Sequence, residues 1–486
     1  MLFSAPLFLP FLFVVCGIFY ALRFSFLAQK LWITAASLVF YGFFDASYVL
    51  LLVVVTILNW GCVLLMRSDE KKRKLALYLS LVISLGALAI FKYLGLFVDT
   101  VNSVAEAVGG KEVFSVIDII LPVGISFYLF QSLSYVIDLY REEIDNDGTF
   151  SDFLFFVSFF PQLVAGPIVR AKEFLPQIEL KRSLSMNNMI WGITLFVVGL
   201  FQKVVMADGI FAPVANNFFA QDQFIDGAEA WAGISAFTGQ IYFDFAGYSS
   251  CAIGISLFFG YKIPLNFNLP YAAIGFSDFW RRWHISLSSW LRDYLYISLG
   301  GNRKGKIMTY RNLMLTMLLG GLWHGAAWTF VFWGALHGIY QVLERFVRAT
   351  PKFLFQKAGT DKEAFAELNL KIKRYTSPIW WLVTLILVMV AWVPFRAADF
   401  DDSTSILKAM FGGESYNFSE LKNDTDLLML VSFAALLVFS VLNRKHNFFV
   451  YWRKMPSVLR GVLLGIMLVG ILSWRGEPNE FIYFQF

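Results

Sequence analysis

Apolar runs recur along the chain, separated by short charged clusters. They predict helical spans near residues 2–22, 30–43, 46–66, 75–97, 114–139, 187–206, 230–258, 376–396, 426–443 and 457–474. Most approach the ~20 residues a helix needs to cross a bilayer. Residues 152–168, charged on both flanks and interrupted by Pro161 and Pro167, predict a re-entrant segment. Residues 308–346 are long enough for two passes around Gly320-Gly321-Leu322-Trp323-His324-Gly325, which predicts a helical hairpin with a glycine-rich apex. A transmembrane barrel would instead show ~10-residue alternating segments, and none is present. The expected fold class is all-α, a polytopic transmembrane bundle with re-entrant and amphipathic helices. No fixed-period repeat or low-complexity tract divides residues 1–486, so a single integral-membrane domain is expected. Its one candidate soluble excursion is the Lys/Glu-rich stretch 347–375.

Composition agrees: 58% of residues are hydrophobic and 15% charged, against roughly 25% charged in a soluble domain. The net charge of +5 matters less than its sidedness. With the loop of Arg67, Lys71, Lys72, Arg73 and Lys74 placed in the cytoplasm, basic clusters at 23–30, 141, 170–182, 262, 281–311, 345–374 and 444–460 fall on the same side. Together they hold 33 of the 40 Lys and Arg. Lys92 and Lys203 lie inside spans, leaving five basic residues outside. This pattern predicts twelve passes plus the re-entrant element, both termini outside, and an acidic outer loop at 398–425. Arg23, the first positive charge, follows the first apolar run, so a retained span is expected rather than a cleaved leader. Cys16, Cys62 and Cys251 sit singly within apolar runs, which argues against a disulfide framework or thiolate metal site. No feature suggests a nucleic-acid partner; membrane lipids are the expected surroundings.

Ionisable groups at membrane depth are costly, so the four histidines carry the most information. His446 follows Asn443-Arg444-Lys445 and is expected in a solvated loop. His284 lies in Ser277-Asp278-Phe279-Trp280-Arg281-Arg282-Trp283-His284. Read as one amphipathic helix over 277–294, this stretch places His284 on an aromatic face with Trp280, Trp283, Leu287 and Leu291. There both a structural hydrogen bond and a place at a reaction centre stay open. His324, at the glycine-rich apex, is the candidate general base, because imidazole exchanges a proton near neutral pH. His337 lies about 140° from His324 if one ideal helix carries both, and is expected to be structural.

Several motifs are set aside. Gly300-Gly301-Asn302-Arg303-Lys304-Gly305-Lys306 has P-loop spacing but is followed by Ile307 rather than Ser or Thr, and reads as a basic turn. No G-x-S-x-G elbow or H-E-x-x-H pair is present. A solute transporter would favour inverted repeats with paired broken helices, and only one broken, histidine-bearing hairpin is visible.

The segments Phe279-Trp280-Arg281-Arg282-Trp283-His284-Ile285-Ser286 through Gly300-Gly301-Asn302-Arg303, and Gly321-Leu322-Trp323-His324-Gly325-Ala326, resemble those of the membrane-bound O-acyltransferase family. The bacterial branch that O-acetylates exported polysaccharides such as alginate is the nearest in pattern. Phe159-Phe160-Pro161-Gln162, Tyr242-Phe243-Asp244-Phe245 and Phe481-Ile482-Tyr483-Phe484 extend the similarity, which is most specific over 242–338. Ser289, Ser298 and Ala327 depart from residues common in relatives. The resemblance implies a helical bundle around a central tunnel in the bacterial inner membrane, with His324 as catalytic histidine and His284 as its partner in the tunnel. It also implies acetyl-CoA as donor without a tightly bound cofactor, no catalytic metal, a polysaccharide acceptor and an extracytoplasmic SGNH-type acetyltransferase partner. Peptidoglycan, teichoic acid, cellulose or a lipid are alternative acceptors. The aromatic tail Phe481–Phe486 and the acidic outer residues 399–426 are the expected partner contacts.

The topology is directly testable. Thiol labelling of intact cells should modify a cysteine introduced at Glu414 and spare one introduced at Lys72; the reverse pattern would invert the orientation.

Overall fold

The computed structural model describes the chain except residues 116–118, 146–147, 179–184, 222–225, 358–361, 413–415, 418–422, 446–447, 475–480 and 483–486; for 349–357, 362–370, 373 and 448–449 it describes backbone alone. The regular elements are helices, in order α1 Phe8–Ala21, α2 Phe26–Gly42, α3 Ala46–Ser68, α4 Arg73–Leu88, α5 Leu94–Ala107, α6 Ile125–Tyr140, α7 Phe150–Ser158, α8 Phe160–Leu163, α9 Ala171–Ile178, α10 Met186–Phe201, α11 Ala212–Phe219 and α12 Gly227–Phe258. They continue as α13 Phe276–Trp280, α14 Ile285–Trp290, α15 Gly305–His324, α16 Trp328–Lys357, α17 Lys362–Arg396, α18 Phe400–Gly412, α19 Asp424–Leu442, α20 Phe448–Lys454 and α21 Ser457–Ser473. Wide π turns occupy Ala89–Tyr93, Gln202–Phe211 and Leu291–Tyr296.

Among the described residues, six continuous helical stretches are long and apolar enough to cross a membrane: Ala46–Ser68, Glu70–Ala107, Met186–Phe219, Gly227–Phe258, Arg374–Arg396 and Asp424–Leu442. Phe8–Ala21 and Ser457–Ser473 are apolar but shorter. The run expected to be helical from 114 starts its helix only at Ile125. Gly124, at φ +77°, adopts a left-handed turn, and a Cβ there would lie 2.9 Å from the Leu163 carbonyl. The Lys/Glu-rich stretch 347–375 is helical in its described backbone, α16 and α17 extending into it from both sides. His446 lies outside the described residues.

The chain forms two compact units. One comprises residues 1–203, 245–265 and 480–486; the other comprises 204–244 and 266–479. In the first, several buried polar side chains pair with one another, as lipid favours. Asn59 on α3 accepts hydrogen bonds from Ser80 and Ser84 on α4. Buried Lys30 pairs with Asp152 at 2.6 Å, and Asp152 also forms a capping box with Thr149 at the start of α7. The segment predicted to re-enter breaks into α7 and α8 at Phe159. Its rings close a tetrad in which Phe155, Phe159, Phe174 and Tyr261 all contact one another at 5.3–5.6 Å. Phe481 and Ile482 are 0% and 1% exposed, and Phe481 packs on Phe245 and Tyr248. The expectation that the tail offers exposed aromatics to a partner is therefore wrong for these two residues: an aromatic beside an apolar cleft gains more by filling it.

In the same unit, α10 meets the C-terminal half of α12 through two glycine pairs. A Cβ on Gly199 would lie 2.5 Å from the Gly247 carbonyl, and one on Gly254 2.6 Å from the Gly192 carbonyl. Backbones this close gain dispersion and tolerate no side chain. In the second unit, α15 packs along α16, α16 against α17, and α17 against α18.

Gly247→Val should destabilise the protein by about 1–3 kcal/mol through overpacking, seen as a lower melting temperature in detergent. Gly61→Ala, where a Cβ meets nothing within 4 Å, should leave it unchanged.

Candidate active site

The site is built within the second unit, around the α15–α16 hairpin. A Cβ on Gly321 would lie 2.2 Å from the Phe330 carbonyl, and one on Gly334 2.3 Å from the Met317 carbonyl. The two helices therefore touch backbone to backbone. Gly320 and Gly321 remain helical; the backbone opens only at Gly325, which is extended at φ −155°, ψ 154°. Gly321 and Gly334 thus serve close helix packing, and Gly325 the turn of the predicted hairpin. His324, the last residue of α15, is 3% exposed. Its ring lies 5.1 Å from Trp323, 5.0 Å from Trp333, 5.4 Å from Phe395 and 6.2 Å from His284, centroid to centroid.

The continuous helix expected over 277–294 does not form. α13 ends at Trp280, and His284 takes the left-handed conformation, φ 40°, ψ 54°, before α14 begins. A non-glycine residue held there costs about 1–3 kcal/mol and persists only where its surroundings enforce it. Asn266 supplies that enforcement. Its backbone carbonyl accepts the Ile285 N–H at 2.8 Å, and its Oδ1 accepts the Ser286 N–H at 3.2 Å and the Ser286 hydroxyl at 2.8 Å. The same Oδ1 lies 3.1 Å from His284 Nδ1. An amide oxygen only accepts, so Nδ1 carries the proton and Nε2 the lone pair. Sequence reading missed Asn266. The signal available was an asparagine in Pro264-Leu265-Asn266-Phe267, between two apolar residues and upstream of the histidine motif.

The strand of contacts preceding His284 is held by charge. Asp278 accepts from Arg282 Nε at 3.1 Å and Arg444 Nη2 at 2.9 Å, and Arg444 Nε donates to the Ala272 carbonyl at 2.8 Å. Glu344 on α16 accepts the Ser277 N–H at 2.9 Å and pairs with Arg348 at 2.6 Å. Thr384 on α17 accepts the Gly275 N–H at 2.9 Å. Burial raises the Asp278 pKa, but the Ile274 N–H, Arg444 and Arg282 outweigh that and hold it below the ordinary carboxylate range. Asp278 and Arg282 are largely enclosed, with side chains 14% and 13% exposed.

The two predicted histidines therefore meet, although 40 residues separate them in sequence. His337 is also close. The break after His324 removes the single helix to which a 140° separation applies, and His337 and His324 both contact the Trp333 ring, at 4.8 and 5.0 Å. The 300–306 stretch forms a glycine-rich turn tied by Asn312, whose Nδ2 donates to the Leu299 and Gly301 carbonyls at 3.1 and 3.0 Å. Among the described residues, no group of three His, Cys, Asp or Glu could hold a metal. Two buried imidazoles, one with a defined tautomer, in an aromatic surround can perform proton transfer shielded from water.

Residues 36–361 match the model of MBOAT, the membrane-bound O-acyltransferase family. A probable alginate O-acetylase of Azotobacter vinelandii is 40% identical over 448 residues, 91% of this chain and 84% of that protein. A peptidoglycan O-acetyltransferase of Helicobacter pylori is 34% identical over 544 residues, 100% of this chain and 98% of that protein. A teichoic acid D-alanyltransferase of Streptococcus thermophilus is 29% identical over 233 residues, 45% of this chain and 56% of that protein.

Asn266→Ala should remove the partner that orients His284, at about 1–3 kcal/mol, and lower acyl transfer roughly 5- to 150-fold in membranes with unchanged protein level. Asn266→Asp, which keeps the acceptor oxygen, should retain more activity than Asn266→Ala; equal loss in both would remove Asn266 from this role.

Proposed function

Because the chain belongs to the membrane-bound O-acyltransferase family, and is a multi-pass membrane enzyme of the bacterial inner membrane, we propose that it moves an acetyl group from a cytoplasmic thioester, acetyl-CoA, toward an exported polysaccharide. The observation that carries this reading is the buried His284–His324 pair. In this reading His324 accepts the proton of the acceptor hydroxyl as that oxygen attacks the acyl carbon, then returns it to the departing thiolate. His284, its tautomer set by Asn266, presents the Nε2 lone pair toward the same chemistry and positions the reacting groups.

Alginate is the first acceptor we assign, supported by the similarity to alginate O-acetylases. Peptidoglycan is the second, favoured by the end-to-end match to the Helicobacter pylori protein. We assign the final sugar modification to an extracytoplasmic SGNH-type partner, since neither a serine elbow nor a carbohydrate-binding insertion is evident in the sequence. The burial of Phe481 shifts the proposed contact from the tail to the acidic start of α18, where Asp399 and Asp401 are exposed.

Proteoliposomes loaded with radiolabelled acetyl-CoA on the cytoplasmic face, and given polymer and partner on the other, test the whole assignment. His324→Ala should reduce transfer ~10²- to 10⁴-fold at normal protein level. Transfer retained by that variant would remove His324 as base, and full transfer without partner would remove the partner requirement.

A further inference from the structure

The aromatic groups beside His324 close into a box. Phe279 stacks on Trp283 at 5.7 Å, Trp283 meets Trp392 at 5.0 Å, Trp392 stacks on Trp333 at 5.9 Å, Trp333 meets His337 at 4.8 Å, and His337 stacks back on Phe279 at 5.8 Å. Trp280 sets its edge against Trp333 and His337 at 5.7 and 5.1 Å. Trp283, Trp333, Trp392 and His337 are each 0% exposed. The buried indole N–H of Trp280, Trp283, Trp333 and Trp392, and both ring nitrogens of His337, have no hydrogen-bond partner among the described residues. Two other indoles of the same unit are satisfied: Trp231 donates to the Met410 carbonyl at 2.9 Å and Trp381 to the Tyr271 carbonyl at 2.8 Å.

An unmade buried donor costs about 1–3 kcal/mol, and folded proteins keep such groups few. Here four indoles and an imidazole concentrate them in one place. Indole donates only, whereas neutral imidazole has one donor and one lone pair. The box therefore offers five N–H groups and a single acceptor. Water matches it poorly, because each molecule that accepts from the indoles brings two hydrogens of its own. A carbonyl oxygen matches it well, and an oxyanion better still.

We propose that Trp333 Nε1–H, assisted by the His337 N–H, receives the acyl carbonyl oxygen of the donor thioester and holds the oxyanion formed on it. Trp333 is the member of the box whose ring also contacts His324, at 5.0 Å. The inference rests on the reading of His324 as general base. The acceptor O–H gives its proton to His324 while its oxygen bonds to the acyl carbon, and the carbonyl π pair moves onto the oxygen facing Trp333 and His337. When the pair returns, the C–S bond breaks and the thiolate takes the proton from His324, leaving an O-acyl product and a free thiol.

Kinetics of purified protein in nanodiscs with acetyl-CoA and a soluble acceptor test this assignment. Trp333→Phe removes the donor, and replacing Trp333 by 3-benzothienylalanine removes it while keeping the bicyclic shape. Both should lower kcat ~10²- to 10³-fold, with KM for the thioester changed by less than about threefold. His337→Phe should lower kcat in the same way, and His337→Gln, which keeps a donor, should restore part of it. Wild-type kcat with 3-benzothienylalanine at 333, or a loss confined to KM, would overturn the assignment. If His324→Ala is inactive while the Trp333 variants are not, this inference fails and the function stands. If the wild-type protein transfers no acetyl group from the thioester, both fall together.

Discussion

Backbone contact between α15 and α16 is the constraint from which the candidate site hangs. Gly321 lies against the Phe330 carbonyl and Gly334 against Met317, so the two helices can neither slide nor separate without losing that fit. The contact places His324, the end of one helix, against Trp333 on the other, and His337 lies one further turn along. Reactive groups mounted on helices locked in this way keep their geometry better than groups on loops. Packing along α15 and α16 thus becomes positional accuracy at an imidazole.

The treatment of polar groups in this interior follows two opposite patterns. Around His284 demand is met heavily: Asn266 alone holds Ile285, Ser286 and the imidazole, and Asp278 gathers Arg282 and Arg444. That saturation offsets the left-handed strain at His284, which no isolated helix would accept. A few ångströms away the tryptophan box leaves donor after donor unmet. A protein that satisfies polar groups so fully in one wall of a site and so sparsely in the next has one wall built for stability and another that suits an oxygen-rich occupant.

The first unit uses the same economy of means without reactive groups. Glycine pairs join α10 to α12, and four mutually contacting rings gather α7, α9 and the chain around Tyr261. A buried lysine is tolerated because Asp152 stands beside it. Phe481 and Ile482 are buried in this unit, where sequence alone suggested exposed aromatics.

Apolar length and charge sidedness were enough to identify a helical membrane protein, because bilayer thickness and the cost of moving charge act on any chain regardless of fold. The same reasoning located His324, since a histidine among glycines in an apolar run is conspicuous in one dimension. Tertiary structure alone decided the rest. The expected 277–294 helix follows from periodicity, but its break at His284 depends on Asn266, eighteen residues away, and periodicity carries no information about a distant partner. His337 looked remote from His324 for the same reason: angular spacing on one helix loses its meaning once Gly325 ends that helix and the chain turns back. The tryptophan box draws on Trp280 and Trp283, Trp333, and Trp392, three stretches of sequence with no common pattern. Hydrophobic spacing records what each segment does on its own, and a site is made of what segments do to one another.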